Sequence, residues 1–182
     1  MTDYMIKELL IGLKAYYDNA EGTEKVILSY AIAAAAADAA GGAIPGLAIP
    51  AAIVSCFGAV WMMYGSLCTA LGISIKEHAL KLLAKAALAN IAANLGGVLI
   101  AIFAGMLLPG ASILVSAAVA FIAVYLAGIV FLRLILKMAR QSCDPYTFRD
   151  ISDHEMKAAL RGITVTKEDL KAAKAVYDDK SR

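Results

Sequence analysis

The most prominent feature of this sequence is a long absence of charge. No Asp, Glu, Lys or Arg occurs between Ala86 and Leu132, a stretch of 47 residues. An α-helix rises about 1.5 Å per residue and needs roughly 20 residues to cross a hydrocarbon core of about 30 Å. Pro109 and Gly110 divide the stretch almost in half, and both residue types favour turns. The sequence therefore predicts a helical hairpin, residues 86–132, that enters and leaves a membrane.

The residues that build active sites and metal sites are also scarce. Three cysteines (Cys56, Cys68 and Cys143) and two histidines (His78 and His154) follow no metal-ligand spacing. No serine has a nucleophile-elbow setting, and no glycine-rich loop ends in the Lys-Ser or Lys-Thr of a phosphate site. The net charge of +2 is too weak to indicate nucleic-acid binding. We therefore expect no catalytic activity, no cofactor, no metal and no nucleic-acid partner.

Charge divides the chain into three regions. Residues 26–140 contain two acids and six bases, whereas residues 141–182 contain eight of each. The overall composition is 61% hydrophobic, with a mean hydropathy of +0.72. We predict an amphipathic N-terminal helix within 1–22, an apolar membrane body at 23–140 and a charged, soluble helical tail at 141–182.

Apolar spacing and capping residues predict helices throughout these regions. Apolar residues recur at three- and four-residue steps over 3–18, and Thr23 is a candidate cap for a helix over 24–40. A third helix is expected from about Pro50 to the glycine at position 72. In the tail we expect two short helices, the second of which is opened by a capping box at Thr166. The predicted fold is an all-α membrane helical bundle built on the apolar hairpin.

The region 26–72 has three possible arrangements. Its helices are apolar, but two prolines and three glycines interrupt them within residues 41–50. The three arrangements are a second hairpin that spans the membrane, a pair of re-entrant helices, and a layer of helices buried in the protein against the first hairpin. Broken backbone at membrane depth is tolerated only where protein or water covers it. We favour a second hairpin.

Basic residues at both ends of the hairpin predict its orientation. Positive residues in short flanks stay in the cytoplasm, and they also suit anionic lipid headgroups. We therefore place the hairpin in the bacterial inner membrane, with the head and tail in the cytoplasm. The alternative is a soluble, alanine-rich helical oligomer in which the hairpin is the core. The basic residues are Lys76, Lys81 and Lys85 before the hairpin, and Arg133, Lys137 and Arg140 after it.

A few polar and small residues inside the apolar body are candidates for function. Asp38 is the one charge between Val26 and Ile75, and an acid in an apolar helix is costly, which makes it a candidate for a pore or proton role. Asn90 and Asn94 share a helix face and can form hydrogen bonds between helices. A row of small residues favours close helix approach and self-association. This row comprises Gly97, Ala101 and Gly105.

Three segments resemble a bacterial helical family of unknown function. They are Ala-Ile-Pro-Gly-Leu-Ala-Ile-Pro-Ala at 43–51, Trp-Met-Met-Tyr at 61–64 and Leu-Gly-Ile at 71–73, followed by an apolar hairpin with a Pro-Gly turn. The family includes YcjF-type membrane proteins, whose members often accompany Era-like GTPases. The resemblance covers about residues 26–135, and Ala48 replaces the family's usual acid. It implies a membrane protein with a GTPase partner.

The sequence thus leads to three functional hypotheses. The first is a non-enzymatic integral membrane scaffold that self-associates and recruits a cytoplasmic partner, possibly a GTPase. The second is a pore-forming or holin-like protein that permeabilises membranes. The third is the soluble helical oligomer.

Overall fold

The computed structural model of the chain describes residues 20–41, 48–73, 75–104, 111–141, 154, 158, 160 and 162–181. All regular elements in these ranges are helices, which confirms the all-α prediction for the described part of the chain. The described residues form five helices longer than one turn: α1 (Ala20–Gly41), α2 (Ala48–Ala70), α3 (Glu77–Ala104), α4 (Ala111–Gln141) and α5 (Lys167–Lys180).

Local sequence explains two of the helix boundaries. After α2, Gly72 adopts a left-handed φ of +67°. Its backbone N–H donates to the Thr69 carbonyl at 3.2 Å, while the Ile73 N–H donates to the Cys68 carbonyl at 2.8 Å. This is the hydrogen-bond pattern of a Schellman motif, in which glycine is the preferred residue because it has no Cβ. At the other boundary, the Thr166 side chain accepts from the Asp169 N–H in the predicted capping box of α5.

The start of α1 differs from the prediction. The helix begins at Ala20, so Thr23 lies within its first two turns and does not cap a helix over 24–40. Gly22 does not interrupt the helix, since one glycine in a helix costs only about 1 kcal/mol. Tertiary packing offsets that cost, because Thr23 and Ile27 are both buried.

Helix α4 is the central helix of the structure and contacts α1, α2, α3 and α5. Each of its residues from 117 to 137 is buried or half-buried. Tyr64 of α2 is fully buried against it. The Tyr64 ring stacks on Phe131 with centroids 4.4 Å apart, and its hydroxyl donates to the Ala127 carbonyl at 2.9 Å. Between α1 and α2, the hydroxyls of Tyr30 and Ser66 are 2.9 Å apart.

Some predicted elements lie outside the described residues. They include the amphipathic helix over 3–18 and the hairpin turn at Pro109 and Gly110. Helices α3 and α4 flank that turn and contact each other. For the first tail helix, His154, Ala158 and Leu160 are helical and the neighbouring positions are not described.

Candidate functional site

The apolar part of α4 is the first component of the candidate site. Among the helical residues whose side chains the structure describes, Ala117–Lys137 is the one stretch long and apolar enough to cross a membrane; it has 21 residues, and an 18-residue window within it has a mean hydropathy of 2.6. Core helices of water-soluble proteins share this length and composition, and 61% of that 18-residue window is buried inside the protein. The described apolar part of α2, Cys56–Ala70, is shorter than a membrane span.

The second component is the C-terminal segment, defined here as Leu160 together with residues 162–181. Its helix α5 runs along α4 in the opposite direction. Near the start of α5, Asp169 forms hydrogen bonds with Arg133 of α4. Further along, the ring of Tyr177 lies 5.3 Å from that of Phe121, centroid to centroid. The charged tail helix therefore covers one side of the apolar stretch of α4.

Arg133 makes the strongest polar contact between the two helices. Its Nη1 donates to Asp169 Oδ2 at 2.8 Å, and its Nη2 donates to Asp169 Oδ1 at 2.7 Å. Nη1 also donates to the Thr164 carbonyl at 3.2 Å. A planar guanidinium that donates through both nitrogens to one carboxylate is a strong and geometrically specific pair. This bidentate pair of Arg133 and Asp169 therefore sets both the position and the orientation of α5 on α4.

Asp169 serves two structural purposes at once. Its carboxylate accepts from Arg133, and Oδ2 also accepts from the Thr166 backbone N–H at 2.9 Å and from its hydroxyl at 3.0 Å. The hydrogen bonds from Arg133 lower the pKa of Asp169 most; partial burial opposes them, and the bonds from Thr166 lower it further. The same carboxylate thus caps α5 and holds it to α4.

Apolar contacts and a cavity complete the interface. The buried residues of the C-terminal segment are Leu160, Ile163, Val165, Leu170 and Ala173. At the far end of α5, a cavity of about 260 Å³ is lined in part by Ala117, Phe121, Tyr177 and Lys180. Contact is therefore close near Arg133 and incomplete near the end of α5.

The six basic residues predicted at the hairpin ends have different surroundings. Lys76 and Lys85 are exposed, whereas Lys137 is half-buried. Lys81 lies 2.8 Å from Glu77 and places its ammonium 4.3 Å from the centre of the Trp61 ring. Arg133 is held by α5, and the Arg140 side chain lies outside the described residues. The five basic residues whose side chains the structure describes do not form one site.

Asp38 lies inside the protein near the end of α1. Only 3% of the residue is exposed, and its Oδ2 has no hydrogen-bond partner in the described part of the chain. Its position in the last turn of α1 places the carboxylate near the partial negative charge of the helix C-terminus. Burial of Oδ2 without a partner and an unfavourable helix end both cost stability, which is why Asp38 stays a functional candidate.

The other predicted candidates are only partly described. Asn90 donates to the Ile163 carbonyl at 3.4 Å, so it reaches the C-terminal segment. The side chain of Asn94 lies outside the described residues, as do Gly105 and the surroundings of Gly97 and Ala101. Among the described residues, no group of three or more His, Cys, Asp or Glu could hold a metal ion.

Comparison of the chain with protein-family models, curated proteins and solved structures gave no match. The resemblance to YcjF-type proteins therefore remains a prediction based on the three segments named above.

Sequence reasoning missed the contact between α4 and α5. It predicted Arg133 as a basic residue at the end of the hairpin, suited to lipid headgroups, and Thr166 as a helix cap, but it did not pair the two regions. One available signal was the apolar face of the last helix, on which Leu170, Ala173 and Tyr177 are three and four residues apart. Such a stripe requires a partner surface.

Proposed function

We propose that this protein is a non-enzymatic helical membrane anchor that inserts its apolar hairpin into the bacterial inner membrane. The observation that carries the proposal is the spanning-length stretch Ala117–Lys137 of α4. A 21-residue helix is about 32 Å long, which matches the thickness of the hydrocarbon core. The charged tail and the basic residues at the hairpin ends support a cytoplasmic location for both termini.

As a scaffold, the anchored protein self-associates and presents its charged regions to a cytoplasmic partner. The small residues Gly97, Ala101 and Gly105 support association between copies, since small residues allow helices to approach closely in lipid. The resemblance to proteins that accompany GTPases supports a GTPase as the partner.

The test is membrane extraction. The protein is expressed in bacteria, and isolated membranes are washed at alkaline pH. Integral insertion predicts that the protein stays in the pellet. Release into the supernatant would contradict the proposal and favour the soluble helical oligomer.

A pair of variants makes this test specific for α4. Ile129 is half-buried near the middle of the apolar stretch. Ile129→Lys introduces a longer, flexible side chain whose ammonium can reach the surface of the folded bundle, whereas a charge at the bilayer centre opposes insertion by about 3 kcal/mol. Ala172→Lys adds the same charge at an exposed position of α5 and serves as the control. We expect only Ile129→Lys to reduce the membrane-bound fraction.

A pore-forming role is the second candidate, and the enclosure of α4 favours it. Every described residue of α4 from 117 to 137 is buried or half-buried, so this arrangement suits a protein that folds in water before it inserts. A pore predicts leakage of a dye trapped in vesicles, and Asp38→Asn should then alter ion selectivity or conductance. A scaffold leaves the vesicles sealed.

A further inference from the structure

We propose that the C-terminal segment and the lipid bilayer compete for the same face of α4. This docking face is defined by Ala117, Phe121 and Arg133, which contact or line a cavity with α5. In the structure α5 occupies the face, and in the membrane-bound protein lipid replaces it. The inference rests on the proposed function, because it requires α4 to enter the bilayer.

The geometry makes the two occupants mutually exclusive. Ala117 and Arg133 are 16 positions apart, or about 24 Å along a helix, which is most of the depth of a hydrocarbon core. Helix α5 lies beside that length of α4 and carries eight charged residues. All of them except Asp169 are exposed: Lys167, Glu168, Lys171, Lys174, Asp178, Asp179 and Lys180.

Such a helix cannot accompany α4 into lipid. Charged side chains at membrane depth are costly and are tolerated only when they face the protein interior or water. The charged side chains of α5 face outward, which would be toward lipid if α4 spanned the membrane with α5 still docked. Insertion of α4 therefore requires release of α5.

The contact between α4 and α5 can open first at the C-terminal end of α5. The polar bonds are concentrated at the start of the segment, where Arg133 binds Asp169 and Thr164 and where Asn90 binds Ile163. The other end of α5 borders the cavity near Ala117. Once Asp169 has moved away from Arg133, the guanidinium can donate two hydrogen bonds to the phosphate of an anionic lipid headgroup. The same guanidinium thus binds a carboxylate in the closed form and a phosphate in the open form.

The experiment compares two charge-matched variants. Asp169→Asn removes the carboxylate that pairs with Arg133, whereas Asp179→Asn removes an exposed carboxylate whose recorded contact is the adjacent Lys180. Both variants gain one positive charge, so general attraction to anionic lipid is equal. Flotation with vesicles of phosphatidylcholine and phosphatidylglycerol measures the bound fraction. We expect Asp169→Asn to bind about fivefold more strongly than Asp179→Asn, the change expected when one ion pair is removed from a closed–open equilibrium.

A second pair of variants tests the competition between α5 and lipid without changing the net charge. Leu170 lies on the buried face of α5, whereas Ala172 is exposed on the same helix. Leu170→Ser should increase vesicle binding, and Ala172→Ser should not. In parallel, hydrogen exchange on wild-type protein should show protected amides in residues 167–180 in solution and loss of that protection on vesicles.

The outcomes separate this inference from the proposed function. Equal vesicle binding by Asp169→Asn and Asp179→Asn, with α5 still protected on vesicles, would overturn the competition while leaving membrane insertion intact. Absence of vesicle binding by every variant, together with release from membranes at alkaline pH, would overturn both.

Discussion

Ile27 of α1 lies so close to Gly128 of α4 that position 128 has no room for a side chain. A Cβ atom at Gly128 would be 2.7 Å from Cγ1 and 2.8 Å from Cγ2 of Ile27. Real Cβ atoms essentially never approach other atoms so closely, and the branched Ile27 side chain is stiff within a helix. The backbones of α1 and α4 approach closely at this point because residue 128 is glycine.

Gly128→Ala should therefore destabilise the protein by about 1–3 kcal/mol, through overpacking against Ile27. Thermal denaturation followed by circular dichroism measures the change. Gly65→Ala is the control, because no atom lies within 4 Å of a Cβ at that helical position. The control should raise stability by about 0.5–1 kcal/mol through helix propensity. If both substitutions stabilise the protein, α1 and α4 are not in close contact at Gly128.

Tyr64→Phe should lower the free energy of unfolding by about 1 kcal/mol. The substitution removes the buried hydrogen bond to the Ala127 carbonyl but keeps the ring that stacks on Phe131. Tyr177→Phe provides a comparison, because the Tyr177 hydroxyl makes no hydrogen bond within the described part of the chain. We expect the comparison variant to unfold at the wild-type temperature, and equal losses from the two variants would argue against the Tyr64 bond.

Asp38→Asn should raise the free energy of unfolding by about 1–3 kcal/mol. A neutral amide loses less hydration energy than a carboxylate when it is buried without a partner. Glu24→Gln, an exposed change on the same helix, should alter stability by less than about 0.5 kcal/mol. Loss of stability in Asp38→Asn would indicate that the carboxylate has a partner that it needs.

Docking of α5 should weaken in acid. The pKa of Asp169 is lower in the folded protein than its ordinary value of 3.8. The ionised carboxylate therefore stabilises the docked helix above that ordinary value, and this stabilisation is lost as pH falls through the lower folded pKa. Hydrogen exchange of α5 as a function of pH, corrected for the intrinsic exchange rates, measures the effect.

The control for the acid effect is Asp169→Asn. Without the titrating carboxylate, the pH dependence of α5 protection should become shallower below pH 4, and protection should be lower than in wild type at neutral pH. Identical pH profiles for the two proteins would show that Arg133 and Asp169 do not hold α5 in solution.

Several elements could be predicted from the sequence because they depend on neighbouring residues. Gly72 ends α2 through its own φ angle, and Thr166 starts α5 through a hydrogen bond to a residue three positions away. The boundaries of α4 follow from an unbroken apolar stretch after a proline and a glycine. The prediction that Thr23 caps a helix was wrong because tertiary packing overrides the local sequence there. Burial of that turn against other helices outweighs the helix-breaking tendency of Gly22.

The sequence by itself determined the all-α class of the described residues, the end of α2 at Gly72, the cap of α5 at Thr166 and the apolar length of α4, because composition, periodicity and capping act over a few residues. Only the tertiary structure decided that α4 is central, that Asp38 is buried, and that Arg133 binds Asp169 across 36 positions. These features depend on which helix faces pack together. Many pairings of apolar faces satisfy the same sequence pattern, and the side-chain fit at contacts such as Ile27 with Gly128 selects among them.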